Sequence, residues 1–277
     1  ELRKVEPIQN YSLENSDNVE KIKTVVRLRD IRDKYRSHIP VSVESLAHNL
    51  LEHCLAYFVD GIMPTLIIKD GDEVYNINVL FNEFVESTET TELEIDGNNF
   101  KYLHFLLKAR AGLNHQINYC AARRVVNPTK LTNRNVPHLP KRIISEDGKD
   151  SSVYMIYVLS SFLDEHVNLQ RSGFDIYAQG ELLYVGNIEW PDVEAAAIGQ
   201  AREYLVNVTE PQKLETEQTV QNYVKEKAPQ FRYIINNDPE IIDQIPPNAS
   251  ESSIDMELYK ISKEKEVEVR RVMDEIL

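Results

Sequence analysis

The run Ser151–Leu159 constrains the fold more than any other part of this sequence. Apolar side chains fall on both faces of such a strand, with Val153, Met155, Tyr157 and Leu159 on one face and Ile156 and Val158 on the other. A strand that is apolar on both faces is covered by other parts of the chain on both sides. The sequence therefore predicts a buried strand inside a sheet.

The segment after this strand, Leu163–Arg171, predicts a loop that presents a cation. A second short strand is expected at Phe174–Tyr177, so Arg171 lies between two strands. A guanidinium group in this position can form two hydrogen bonds to the phosphate of a nucleotide that another domain holds. The alternative is an exposed arginine paired with Asp164 or Glu165, which is an ordinary role for a surface arginine.

The first half of the chain predicts a strand, a helix and a hairpin. The β-rich run Ile22–Leu28 indicates a strand. Apolar residues then recur at helical spacing behind Ser42, a suitable N-cap, which predicts a helix over residues 42–59. The runs 65–69 and 74–79 flank an Asp-Gly turn, which is a strong hairpin signal.

A second hairpin is expected around the basic pair Arg123 and Arg124, after another strand at Phe100–Lys108. These arginines are either plain surface cations or contacts to a partner or to nucleic acid. The polar, acidic stretch Ser87–Asn99 carries no predicted strand. Three prolines within residues 128–150 allow only a short helix there.

The C-terminal part is predicted to be helical. Pro191 opens a helix over Asp192–Val206, and Thr209–Pro211 is interpreted as a linker. Shorter helices follow, and Ile254–Ile276 indicates one long charged helix with an apolar stripe that includes Val267. A helix of this kind is expected to pack on further chain.

Composition excludes some classes of protein. The 277 residues carry a net charge of −14, so the overall field does not favour nucleic acid. No apolar run approaches the ~20 residues of a membrane span, and the two cysteines provide no disulfide framework, which suits the cytoplasm. Metal binding is not expected, and the sequence is interpreted as part of a longer protein.

Two segments resemble motifs of the MutL mismatch-repair ATPases. LDEHVNLQRSGFDIY is similar to the signature D-V-N-V-H-P-A-K-x-E-V-x-F, whose loop lysine reaches the terminal phosphate of ATP; Arg171 takes the place of that lysine, and the His-Pro pair is absent. Asn168 and Gln170 share this loop and are further candidates for binding the nucleotide. YCAARRVV, which contains Arg123 and Arg124, resembles the F-V-N-G-R-x-V element without its glycine.

The order of elements over about residues 20–206 resembles the second domain of GHKL ATPases, the superfamily of DNA gyrase, heat-shock chaperones, histidine kinases and MutL. The resemblance implies an α/β (α+β) fold like domain 2 of ribosomal protein S5, called the transducer, with a mixed sheet. It divides the chain into the end of an ATP-binding domain (1–40, last strand 22–28), the transducer (41–206) and a helical C-terminal region (207–277).

The implied function is to relay ATP binding and hydrolysis in a preceding domain into a conformational change, with Arg171 as the sensor of the γ-phosphate. ATP and Mg²⁺ belong to the full-length parent, a bacterial cytoplasmic ATPase expected to form a homodimer. These 277 residues alone are expected to bind no cofactor and to be inactive. The alternatives are a non-catalytic interaction or scaffold module and, third, an S5-like nucleic-acid-binding domain.

Overall fold

A computed structural model describes residues 24–27, 33, 42–59, 63–145, 147–176 and 188–276. The chain divides into two compact units, Glu1–Pro40 and Val41–Leu277, and every element named below belongs to the second. Residues 24–27 form no strand, so the strand predicted at Ile22–Leu28 is wrong for these four residues, and its other residues lie outside the described part.

The second unit begins with helix α1 (Val43–Val59), as predicted, followed by the hairpin β1 (Ile67–Asp70) and β2 (Glu73–Asn76). Helix α2 (Ile77–Phe84) then replaces the end of the strand predicted at 74–79. The side chain of Asn76 accepts a hydrogen bond of 3.0 Å from the backbone N–H of Asn78, which caps α2 and ends the strand.

A six-stranded mixed sheet forms the centre of the fold. Its strands are β3 (Val85–Ile95), β4 (Asn98–Lys108), β5 (Gln116–Ala121), β6 (Arg124–Lys130), β7 (Ile143–Ile144) and β8 (Ser151–Leu159). The order is β3-β4-β8-β5-β6, with β7 also paired to β8. Of the strand pairs that the structure describes in this sheet, only β5 and β8 run parallel to each other. The central position of β8 confirms the prediction from its two apolar faces.

Strand β3 is not expected from its polar composition. It pairs with β4 along its whole length, and the two strands meet at the turn Asp96–Gly97, whose φ angles are 44° and 76°. Backbone pairing tolerates glutamate and threonine on an edge strand because their side chains remain in solvent. The pairing with β4 therefore places a strand where hydrophobic periodicity gives no signal.

Apolar cores cover the two faces of the sheet. One core joins β4, β5 and β8 to α4 (Trp190–Glu226), and its largest members are Phe100, Tyr102, Tyr119, Tyr154 and Ile156. The other joins the opposite face to α1 and α2, and it contains Leu51, Leu55, Phe84, Phe105, Met155 and Tyr157. Helices on both sides of a mixed sheet confirm the α/β class.

Helix α4 runs for 37 residues without interruption, so the linker predicted at Thr209–Pro211 is wrong. The hydroxyl of Thr209 donates to the carbonyl of Leu205, and Thr216 is buried about two turns further on. Burial on both sides of Pro211 holds the helix together, although proline lacks the N–H that an interior helix position uses.

The C-terminal region is helical, as predicted. Two 3₁₀ turns, Pro229–Phe231 and Pro239–Gln244, flank α5 (Arg232–Asn237), and α6 (Glu251–Ile276) follows. A third core forms here, with the first half of α6 contributing Ile254, Leu258 and Ile261. Val267, predicted on the same stripe, is 67% exposed because the helix has by then passed beyond this core.

The loop between β6 and β7 joins the sheet to the C-terminal helices. The Nε2 of His138 lies 2.9 Å from the Oδ1 of Asp243, and the side-chain amide of Asn133 donates to the backbone carbonyl of Asp243. This loop contains no helix over its described residues. Within the described part of the chain, no helix is both long and apolar enough to cross a membrane.

Candidate functional site

One edge of the sheet collects both segments that the sequence singles out. Strands β5 and β8 are parallel neighbours, with Tyr119 opposite Val158, so their C-terminal ends lie side by side. The turn Ala122–Arg123 follows β5, and the segment that ends in Arg171 follows β8. This edge is the candidate site.

The turn Ala122–Arg123 confirms the predicted second hairpin and has an uncommon backbone. Both residues have positive φ angles, 47° and 61°, in the left-handed region that favours glycine or asparagine. Neighbouring side chains hold the backbone of Ala122 at both polar groups. Tyr57 donates its hydroxyl to the carbonyl at 3.1 Å, and Asp164 Oδ1 accepts from the N–H at 2.6 Å.

Both arginines of this hairpin, Arg123 and Arg124, are exposed. Arg124 also influences Cys54 on α1: burial raises the pKa of the Cys54 thiol, and the positive charge of Arg124 acts in the opposite direction. The hairpin that contains these two arginines therefore lies where the sequence predicts it. Whether these cations contact a partner stays a prediction.

Helix α3 (Ser161–His166) occupies the first part of Leu163–Arg171, so the prediction of a loop there is wrong. Ser160 caps α3: its Oγ accepts from the N–H of Phe162 at 3.2 Å and donates to the carbonyl of Asn99 at 2.8 Å. Leu163 is fully buried against the sheet. The cap and this apolar contact together fold the residues after β8 into a helix.

A tight loop, residues 167–174, presents Arg171. Val167 and Phe174 form an isolated antiparallel bridge, which is all that remains of the strand predicted at Phe174–Tyr177 in the described residues. Asn168 organises the loop: its Oδ1 accepts from the N–H of Ser172 at 2.9 Å, and its carbonyl accepts from the N–H of Arg171. The side chain of Asn168 is therefore engaged within the loop.

Arg171 is exposed and has a φ angle of 54°. No hydrogen bond or ion pair joins its guanidinium to any residue that the structure describes, so the predicted alternative, pairing with Asp164 or Glu165, is not formed there. Gln170 is exposed beside it, and Leu169 is 100% exposed. The loop therefore offers a cation and an amide to solvent.

Aromatic contacts tie this loop to the rest of the fold. Phe174 stacks on Trp190 with ring centroids 5.5 Å apart, and Trp190 contacts Tyr119 of β5 at 4.7 Å. Trp190 is the first residue of α4. The sequence does not signal these contacts, because residues 16 or more apart along the chain supply them.

A buried polar chain between the sheet and α4 also escapes prediction from the sequence. Tyr154 Oη lies 2.8 Å from His104 Nδ1, and His104 Nε2 lies 2.8 Å from Thr91 Oγ1, which donates in turn to Gln200. His104 is 1% exposed, and burial lowers its pKa to about 4. A neutral imidazole that accepts a hydrogen bond from Tyr154 and donates one to Thr91 gives each side chain of this buried network a partner.

Two tyrosines of the same core lack such partners. The hydroxyl groups of Tyr102 and Tyr119 are buried without a hydrogen bond to any residue that the structure describes, and burial raises the pKa of Tyr102 to about 12. The two residues flank Val158 on neighbouring strands and face the same helix. They contribute apolar surface, while their hydroxyl groups add no stabilising contact.

On α1, His48 and Glu52 contact other elements rather than each other. Glu52 forms an ion pair with Arg110, and His48 packs edge-on against Phe84 at 4.9 Å. Across the described residues, no three His, Cys, Asp or Glu side chains converge in a way that would hold a metal ion.

The arrangement can present a guanidinium group to an anionic ligand held by another molecule or domain. A bidentate contact to phosphate suits an exposed arginine on an anchored loop. No family model, curated protein or solved structure matches this chain.

Proposed function

We propose that this chain is the transducer part of a GHKL-type ATPase, with an S5-like domain that relays ATP binding and hydrolysis into a conformational change. Arg171 is the proposed sensor of the γ-phosphate. The observation that carries the proposal is the exposed guanidinium of Arg171, unpaired among described residues, on a loop anchored at both ends. In the full-length protein, a bacterial cytoplasmic homodimer, ATP and Mg²⁺ lie in another domain.

The loop supports this role by its internal hydrogen bonds. Asn168 bonds to the backbones of Arg171, Ser172 and Gly173, so the loop conformation does not depend on a ligand. An arginine on such a support loses less conformational entropy on binding phosphate than one on a flexible segment. A contact made only to the γ-phosphate then favours one arrangement of the two domains over another.

Helix α4 supports the relay. Phe174 links the loop to Trp190 at the start of α4, and the 37 residues of this helix extend over about 55 Å at 1.5 Å per residue. Its second half contributes Val220 and Val224 to the core of the C-terminal region. A displacement of the loop is therefore transmitted to the C-terminal helices through one continuous element.

The test is ATP hydrolysis by the full-length protein that contains the ATP-binding domain. Arg171→Ala is expected to lower kcat by roughly 30- to 1000-fold, since one charge-assisted contact to a transition-state phosphate contributes about 2–4 kcal/mol. Arg171→Lys keeps the charge and is expected to recover part of the rate. The control is Arg232→Ala, which removes another exposed arginine, on α5, and is expected to leave turnover unchanged. Unchanged turnover in Arg171→Ala contradicts the proposal.

The second candidate is a non-catalytic interaction module. The last turns of α6 favour it, because Val269, Val272 and Met273 are each more than two-fifths exposed there. In such a module Arg171 would contact no nucleotide, so this alternative predicts unchanged ATP hydrolysis in the Arg171→Ala variant. Nucleic acid is the least favoured ligand, because the net charge is −14.

A further inference from the structure

Among the residues that the structure describes, strand β3 is paired on one side only, which leaves one long edge of the sheet open to a further strand. From Ser87 to Ile95 it pairs with β4 in unbroken register, and its only irregularity lies at the start, between Val85 and Ser87. No described strand pairs with its other side. Alternate backbone N–H and C=O groups of an edge strand point away from the sheet and can pair with another extended chain.

The opposite edge of the sheet differs. Strand β6 contains Pro128, which has no N–H to donate and makes strand addition there unfavourable. Strand β3 contains neither proline nor glycine over its 11 residues. The fold therefore protects one edge with proline and leaves the longer edge without a backbone obstacle.

The open edge is acidic. Glu86, Glu89, Glu92 and Glu94 are exposed on β3, which contains no lysine or arginine. On β4, Lys101 lies directly opposite Glu92, whereas the residues directly opposite Glu89 and Glu94 are His104 and Asn99. Helix α4 runs beside this edge, where Tyr204 bonds to Ser87 and Gln200 to Thr91, and it adds the exposed Glu203.

We propose that the open edge of β3 binds an extended, lysine- or arginine-rich segment of a partner protein by strand addition. Backbone hydrogen bonds to Ser87–Ile95 supply the affinity. Glu89 and Glu94 lie on opposite faces of the ladder, so a cation on each face of the added strand pairs with one of them. Opposite charges across a ladder contribute about 0.2–1 kcal/mol per pair, and like charges oppose pairing by similar amounts. The glutamates therefore select a basic strand over the β3 edge of a second copy.

The experiment uses as probe a fluorescein-labelled nine-residue peptide in which pairs of lysines alternate with pairs of threonines, so that both faces of the extended peptide carry lysine. Fluorescence anisotropy is expected to show saturable binding to the 277-residue chain that weakens with salt. The same peptide with a methyl group on every backbone nitrogen, or with glutamate in place of lysine, is expected to bind at least tenfold more weakly. Every amide is methylated because either edge of the peptide can face β3.

Variants of the chain test the position of the site. Glu89→Lys together with Glu94→Lys is expected to weaken peptide binding at least tenfold. The control with the same change in net charge is Glu226→Lys together with Glu264→Lys, two exposed glutamates on α4 and α6, and it is expected to stay within threefold. Amide exchange of the wild-type chain provides a measurement that needs no variant, with slower exchange over 87–95 on adding peptide.

Three results would overturn this proposal: no binding of the basic peptide, equal binding of the N-methylated peptide, or pairing of β3 edges between copies of the chain. If the basic peptide does not bind, the glutamates of β3 only keep this edge unpaired. If the N-methylated peptide binds equally well, the peptide is held by surface charge and not by strand addition. Arg171→Ala is expected to leave peptide binding unchanged, so this inference and the proposed ATPase role fail independently.

Discussion

The carboxylate of Asp164 accepts a hydrogen bond of 2.6 Å from the backbone N–H of Ala122, which joins the helix after β8 to the turn after β5. The two residues are 42 positions apart in the chain. The parallel pairing of β5 with β8 brings them together, because it places both C-terminal strand ends at one edge. The basic hairpin and the Arg171 loop are thus parts of one local structure.

Removal of this contact is expected to destabilise the edge of the sheet. Asp164→Ala should lower the free energy of unfolding by about 1–2 kcal/mol, because the bond is charge-assisted but lies close to solvent. The neighbouring Glu165→Ala, which removes an exposed carboxylate, should change it by less than about 0.5 kcal/mol. Urea unfolding followed by circular dichroism measures both, and equal effects would rule out a specific role for Asp164.

Glycine at position 122 in the turn is expected to give a more stable protein than the native Ala122. Its φ angle of 47° costs an L-residue about 1 kcal/mol, which glycine does not incur. Ala122→Gly should therefore raise the thermal unfolding midpoint by a few degrees. Ala121→Gly, one residue earlier in the buried strand β5, should lower it; a lower midpoint for both variants would contradict the strained turn.

Two tyrosine-to-phenylalanine changes in one core are expected to have different outcomes. Tyr119→Phe removes a buried hydroxyl that has no hydrogen-bond partner, so the free energy of unfolding should stay the same or rise by up to about 1 kcal/mol. Tyr154→Phe leaves His104 Nδ1 without its donor and should cost about 1–3 kcal/mol. Chemical denaturation of the two variants under identical conditions checks the difference, and a reversed order would refute it.

Acidification is expected to weaken the fold through His104. Burial lowers the pKa of His104 from its ordinary 6.5 to about 4 in the folded chain, so between these values the unfolded chain binds more protons. The free energy of unfolding therefore rises by about 3 kcal/mol between pH 4 and 6.5. Above that range the stabilising contribution of neutral His104 is complete.

His115 acts in the same direction. Burial lowers its pKa as well, and its Nδ1 accepts from the N–H of Tyr154 at 2.8 Å. Urea unfolding at several pH values between 4 and 7 measures the combined slope. His104→Gln should reduce that slope by up to one proton, and a slope identical to that of the wild type would contradict the assignment to His104.

The continuity of α4 predicts an unusual gain from removing a proline. Pro211→Ala restores an N–H inside a helix and should raise the free energy of unfolding by about 1–3 kcal/mol. Pro191→Ala, in the first turn of the same helix, should be neutral or slightly unfavourable. Thermal denaturation compares them; an unchanged midpoint for Pro211→Ala would indicate that residues 209–211 are a linker after all.

Particular elements show why prediction from the sequence succeeds or fails. Helix α1 and strand β8 are predicted correctly because apolar periodicity over many residues reports burial directly. Strand β3 and the continuity of α4 are not predicted because pairing with β4 and packing on two cores override composition and a single proline. Helix α3 is mistaken for a loop because its cap, Ser160, and one buried leucine are too few residues to show a period.

For the candidate site, the sequence by itself determined which residues carry charge and the kind of element they belong to: Arg123 and Arg124 in a hairpin, and Arg171 after the buried strand β8. Only the tertiary structure decided that these segments share one edge, that Asp164 bonds to Ala122 rather than to Arg171, and that Phe174 ties the loop to Trp190. The reason is physical: local patterns encode which face of a strand is buried, whereas the parallel pairing of β5 with β8 depends on contacts between residues nearly 40 positions apart.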